Sequence, residues 1–127
     1  MSQNLSAKAY LEAANAVVPR ISAEEGIAVH KNGGAVFIDV RDSSDIAKTG
    51  TIAGAHRIPR GFIEFAADET TDFHNSALSK DAEILIVCAA GGMAALAGKT
   101  LNDMGYQNVR NVGGITDWIG AGGDIEE

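Results

Sequence analysis

Ala7, Tyr10, Leu11, Ala14, Val17 and Val18 recur at the spacing of one helical face. They predict an amphipathic first helix, which Pro19 ends by disfavouring helical backbone at Val18. Ser22-Ala23-Glu24-Glu25 reads as a capping box that opens a second helix, and Gly33-Gly34 closes it. The pattern then changes. Ala35 to Val40 is a short apolar run of the kind found in strands buried on both faces, followed abruptly by the polar Arg41-Asp42-Ser43-Ser44-Asp45. Glu83 to Cys88 is a second such run, and Arg57-Ile58-Pro59 predicts a shorter strand between them. The two long runs are expected at the centre of a sheet.

After Cys88 come Ala89-Ala90-Gly91-Gly92 and a helical pattern that puts Met93, Leu96, Ala97, Leu101 and Met104 on one face, with Gly105 as its stop. Asn108 to Val112 predicts a further strand, and Gly113-Gly114 leads to a short last helix around Ile115, Trp118 and Ile119. Strands alternating with helices imply an α/β fold: a mostly parallel central sheet in a three-layer arrangement, with helices on both faces and right-handed crossovers. Residues 62 to 80 break the regularity, because Phe62, Phe65 and Phe73 sit among polar residues without a period. An irregular excursion with a little helix is expected there, and such loops are often near function.

Bulk properties narrow the chemistry. A chain of 127 residues, 46% hydrophobic, is sized for one compact domain with a real core. The formal net charge is −7 and Lys and Arg are not clustered, which argues against nucleic acid as a partner. The apolar runs are all too short to span a membrane. Met1-Ser2-Gln3-Asn4-Leu5 lacks the basic start and apolar core of a secretory signal, so a reducing, cytoplasmic location is expected. The one cysteine cannot form an internal disulfide and leaves too few soft ligands for structural zinc.

That cysteine stands where chemistry is expected. In open parallel sheets, ligands bind beyond the carboxyl ends of the strands. Cys88 ends an apolar strand, and the small residues after it let successive backbone N–H groups curl around its sulfur ahead of a helix N-terminus. The arrangement favours a negatively charged, nucleophilic sulfur. A buried cysteine with no role needs no Gly-Gly loop opening onto a helix.

Four segments together, Phe37-Ile38-Asp39-Val40-Arg41-Asp42, Gly50-Thr51-Ile52-Ala53-Gly54-Ala55, Cys88-Ala89-Ala90-Gly91-Gly92-Met93 and Gly113-Gly114-Ile115-Thr116-Asp117-Trp118, resemble the successive signatures of rhodanese domains. The resemblance spans residues 20 to 122 and leaves residues 1–19 as a helical extension. It implies a sulfurtransferase in which Cys88 takes sulfane sulfur from a small donor such as thiosulfate or a persulfide. The sulfur is held as a persulfide and passed to cyanide, a thiol or a protein acceptor. Ala89, Ala90, Gly91, Gly92 and Met93 form the anion-binding loop, no metal or organic cofactor is required, and a homo-oligomer is compatible with the family. Gly114 and Trp118 are expected to be architectural.

The departures from the family pattern matter. Loops of this family often carry Arg or Lys, commonly at the sixth position, where this chain has Met93. Losing one charge-assisted contact removes about 1.5–3 kcal/mol, or roughly one to two decades of affinity, so weak use of thiosulfate is expected. Met93 also fits the apolar face of the helix that follows. Arg57 and Arg60 are the candidate replacement cations by chain order, whereas Asp39 and Arg41 are expected to organise a turn. Thr51 stands where the family commonly has His, and His56 and His74 are remote candidates. Phosphatases that share the fold place an Arg one residue further along, where this chain has Ala94, so phosphate-ester hydrolysis would lack its charge clamp. The alternative of a different class is a non-catalytic rhodanese-like module that binds a partner or senses redox state.

Overall fold

The computed structural model of the chain describes residues 4–127, so the first three residues of the stretch read for a secretory signal lie outside them. In chain order the elements are α1 (Ala7–Val17), α2 (Ala23–Asn32), β1 (Val36–Asp39), α3 (Ser43–Thr49), β2 (Thr51–Ile52), β3 (His56–Arg57), a 3-10 turn (Arg60–Phe62) and α4 (Ile63–Ala67). Then come β4 (Ile84–Cys88), α5 (Gly92–Asp103), β5 (Val109–Gly114), α6 (Ile115–Gly120) and β6 (Ile125–Glu126). Among the described residues no helix is long and apolar enough to cross a membrane.

Four strands form a parallel sheet in the order β3-β1-β4-β5. The two apolar runs are its central pair, as their composition requires, because both of their faces are covered. Ile84, Ile86 and Cys88 point into a core shared with Ile63, Ala97 and Leu101, while Leu85 and Val87 face Phe37, Val112, Ile115 and Trp118 on the other side. Period-two alternation therefore fills two separate cores from one strand, and Cys88 is the last residue β4 contributes on the α4–α5 side.

The first helix packs on α5. Val18 leaves no room for a side chain at Gly98, where a Cβ would stand 2.9 Å from a Val18 methyl. Ser22 caps α2 by accepting from the Glu25 N–H at 3.1 Å, but Glu25 answers the Ser22 hydroxyl and not its backbone N–H, so half of the expected box forms. The buried face of α5 carries Ala94, Ala95, Ala97, Gly98 and Leu101, while Met93 is 38% exposed. The packing role read for Met93 is thereby corrected: the helix turns its small residues inward, which lets α1 approach closely.

Two elements escape the sequence pattern. In α3 only Ile46 is buried, too little for periodicity to register. The antiparallel pair of β2 and β6 is two residues long on each side. It adds a small second sheet to the otherwise parallel architecture.

Candidate active site

The parallel sheet brings the carboxyl ends of β1, β3 and β4 to one edge, and Cys88 lies there, 1% exposed. Its Sγ accepts hydrogen bonds from the Gly91 N–H at 2.9 Å and the Ala94 N–H at 3.4 Å. Two backbone donors converging on one sulfur stabilise negative charge there without any charged side chain. The loop reaches this shape because Gly91 adopts φ 103°, a left-handed conformation that a Cβ would oppose. Gly92 then begins α5.

The loop is held from behind by Asn111, which the sequence did not flag, and by Gly114. Asn111, fully buried, donates from Nδ2 to the Gly91 carbonyl at 2.8 Å and accepts the Gly113 N–H on Oδ1 at 2.8 Å. A register shift between β4 and β5 makes this possible: Ile86 pairs with Asn111 but Val87 with Gly113, leaving Val112 as the extra residue of a bulge. Gly114 has no space for a Cβ because the Ala89 carbonyl lies against it.

Arg20 reaches the same loop from the segment before α2, which is bonded to β5 through Asn111 N–H to Pro19 O at 2.8 Å and Ile21 N–H to Asn111 O at 3.0 Å. Its guanidinium lies against Gly91 and Gly113, where an added Cβ on either glycine would run into it, and it donates to the Ala90 carbonyl at 3.4 Å. A surface groove of about 480 Å³ between the start of α2 and α6 is lined by Arg20, Ser22, Glu24, Thr116 and Asp117, and meets the Cys88 loop only through Arg20.

The candidate cations lie elsewhere. Arg57 donates to the Glu127 carbonyl at 2.8 Å and pairs with Glu126, while Arg60 bonds Glu64 and the Thr100 hydroxyl at 3.1 Å. Asp39 and Arg41 form a buried ion pair at 2.8 Å. The Thr51 hydroxyl donates to Asp39 at 2.8 Å, and the Arg41 guanidinium also satisfies the Gly50 carbonyl at 2.9 Å. Thr51 thus completes a closed network that ties β1 to the start of β2. His56 contacts Asn75, and His74 contacts the Leu78 carbonyl. Among the described residues, no group of His, Cys, Asp and Glu side chains is arranged to hold a metal ion.

The comparisons with known proteins agree with this architecture. Residues 22–121 match the family model described as the Rhodanese-like domain. The chain belongs to the rhodanese-like family.

Among solved structures, the human single-domain sulfurtransferase TSTD1 superposes with a TM-score of 0.71 at 25% identity, over 81% of this chain and 96% of that one. A protein of unknown function from Rhodopseudomonas palustris, described as a possible tyrosine phosphatase, superposes with a TM-score of 0.90 at 34% identity over 99% of both chains. Among curated proteins, YrkF of Bacillus subtilis, provisionally assigned as a sulfur carrier protein, is 33% identical over 66% of this chain and 41% of its own length. The adenylyltransferase and sulfurtransferase UBA4 of Meyerozyma guilliermondii is 29% identical over 77% of this chain and 24% of its own length. The rhodanese-like chain described here thus spans less than half the length of either curated relative.

Proposed function

We propose that this rhodanese-like domain transfers sulfane sulfur through a persulfide on Cys88. The observation that carries the reading is the convergence of the Gly91 and Ala94 N–H groups on Sγ. With thiosulfate as donor, the Cys88 thiolate attacks the outer sulfur and a new S–S bond forms. The bond to the sulfonate sulfur breaks, and sulfite departs with the bonding pair. An acceptor thiolate then attacks the outer sulfur, and Cys88 leaves as thiolate. Charge and electrons balance in both steps, so no oxidant, metal or organic cofactor enters.

The loop of Ala89, Ala90, Gly91, Gly92 and Met93 supplies backbone dipoles to the anionic persulfide, and Arg20 supplies the positive charge that the loop itself lacks. Asp39 and Arg41 act as scaffold, and Arg57 and Arg60 are held away by their own partners. We assign the catalytic domain to residues 20–122, with residues 1–19 as a helical extension, working in a reducing, cytoplasmic setting on a small sulfur donor. The curated relatives, one assigned to sulfur carriage and one to sulfur transfer, support this direction.

The phosphatase description attached to the Rhodopseudomonas palustris structure is the competing enzymatic reading. Phosphate-ester hydrolysis requires a charge clamp on the phosphoryl oxygens, and this chain has Met93 and Ala94 at the loop end, with Ala94 fully buried. Sulfur transfer makes no such demand.

Intact-mass spectrometry after exposure to thiosulfate or a small persulfide tests the reading. The expected product is the chain plus one sulfur atom, removable by cyanide or thiol and missing from Cys88→Ser. No adduct with any donor would leave the non-catalytic binding module in its place.

A further inference from the structure

We infer that Phe62, Phe65 and Phe73 form the footing for a protein sulfur acceptor whose thiol stands in an apolar surface ringed by Lys or Arg; this rests on the sulfur-transfer reading above. The chain has four phenylalanines, and these three are 39%, 50% and 61% exposed. They pack against one another, mostly edge to face, with ring centroids 5.5–6.2 Å apart. Together they present an apolar patch on the order of 300 Å², the size at which surface patches are often functional.

The patch follows from how α4 is used. Ile63, Ala66 and Ala67 fill its core side, so Phe62 and Phe65 must point outward. The irregular segment beyond is pinned in place. The Thr71 hydroxyl donates to the Phe65 carbonyl at 2.9 Å, and the Asn75 N–H donates to the Ala66 carbonyl at 2.8 Å. The rings are therefore held ready, which lowers the entropy lost when a partner covers them.

Topology starts the segment that bears this patch near Cys88. Val40 lies level with the end of β4, its N–H bonded to the Val87 carbonyl at 3.1 Å, and the Arg60 N–H bonds the Val40 carbonyl at 3.0 Å. The turn that carries Phe62 thus starts about 10 Å from Cys88, two strand spacings along the same sheet edge.

Charge selects the occupant. Glu64 and Glu69 are paired with Arg60 and Lys80, whereas Asp68, with Lys80 and His74 nearby, and Asp72 close no ion pair among the described residues, which leaves the rim with more acidic than basic groups. Hydrogen bonds from Thr70 hold the Asp68 carboxyl below its usual range and keep it ionised. A second copy of this chain docking here about a two-fold axis would set acidic rim against acidic rim. A partner with a basic rim meets complementary charge.

The test uses the protein loaded with persulfide and two synthetic peptides of equal length. Each carries one Cys between leucines, flanked by Lys in one and by Glu in the other. At low ionic strength the Lys peptide is expected to accept sulfur about tenfold faster or more. Phe65→Ser/Phe73→Ser should lower the rate for the Lys peptide several-fold while leaving transfer to 2-mercaptoethanol unchanged. Equal loss for both acceptors, or no loss, would overturn the proposal. So would sedimentation as a dimer that the double variant dissociates, which would assign the patch to a second copy. If no persulfide loads at all, the catalytic reading falls on its own. Fluorescence anisotropy of the labelled Lys peptide on the unloaded protein then decides the surface, with weaker binding to the double variant supporting it and equal binding overturning it.

Discussion

Asn111 holds Gly91 by a buried 2.8 Å hydrogen bond across twenty residues of sequence, and Gly91 in turn gives its N–H to Cys88. The side chain that sets the loop is thus one step removed from the sulfur. Asn111→Leu is expected to leave the Gly91 carbonyl and the Gly113 N–H without partners and to destabilise the fold by about 2–4 kcal/mol, the usual consequence of two unsatisfied buried groups. Urea denaturation reads that loss. Sulfite release from thiosulfate, measured where the variant is fully folded, should fall by at least about tenfold if the loop has lost its shape.

Gly91 and Arg20 form a second coupled pair. Gly91→Ala introduces both a left-handed alanine and a collision with the guanidinium. An expected loss of about 1–3 kcal/mol should shrink, but not vanish, in an Arg20→Ala background, because removing the side chain relieves the collision and not the dihedral strain. A double-mutant cycle in urea measures the difference. Arg20→Ala alone should raise KM for thiosulfate more than for an uncharged persulfide donor; equal effects would reduce Arg20 to a prop for the loop.

The same electrostatic argument bears on Met93. It is partly exposed at the end of the loop, so an Arg introduced there can reach solvent and an incoming anion. Met93→Arg is expected to lower KM for thiosulfate by roughly one to two decades. The wild-type protein should favour glutathione persulfide over thiosulfate in kcat/KM. An unchanged KM in the variant would mean that the side chain faces away from the donor.

Alkaline stability should report on Tyr106. Its hydroxyl donates to the Ala67 carbonyl at 2.7 Å and the Leu78 carbonyl at 3.3 Å, and burial raises its pKa above the ordinary 10.0, partly offset by Lys80 over the ring. The folded protein keeps a proton that the unfolded chain releases, so this contribution is complete below pH 10 and is lost as pH rises through the folded-state value. Tyr106→Phe should be less stable by about 1 kcal/mol at neutral pH and should decline less steeply above pH 10. Urea midpoints across that range check the sign.

The central strands were legible because their burial is complete. β1 and β4 read as apolar runs because helices cover both of their faces, and the Cys88 loop read as a site because small residues separate a strand from a helix. α3 was not legible, since Ile46 and Ala47 are its only apolar residues and make no stripe. Met93 misled because the spacing of α5 fits two faces, and only the close approach of α1 selects the one lined by alanine and glycine. Arg20 and Asn111 were invisible for a different reason. Their contacts with the loop depend on the bulge at Val112 and on partners distant in sequence, which local patterns do not encode.

The burial of Sγ has a consequence for recognition. Cys88, 1% exposed, offers almost no thiol surface to a colliding protein. Under the proposed chemistry, adding sulfur places the reactive atom one S–S bond, about 2 Å, beyond Sγ. An acceptor would then find a buried thiol on the empty carrier and an electrophilic outer sulfur on the full one, so the reach of the site itself depends on its cargo.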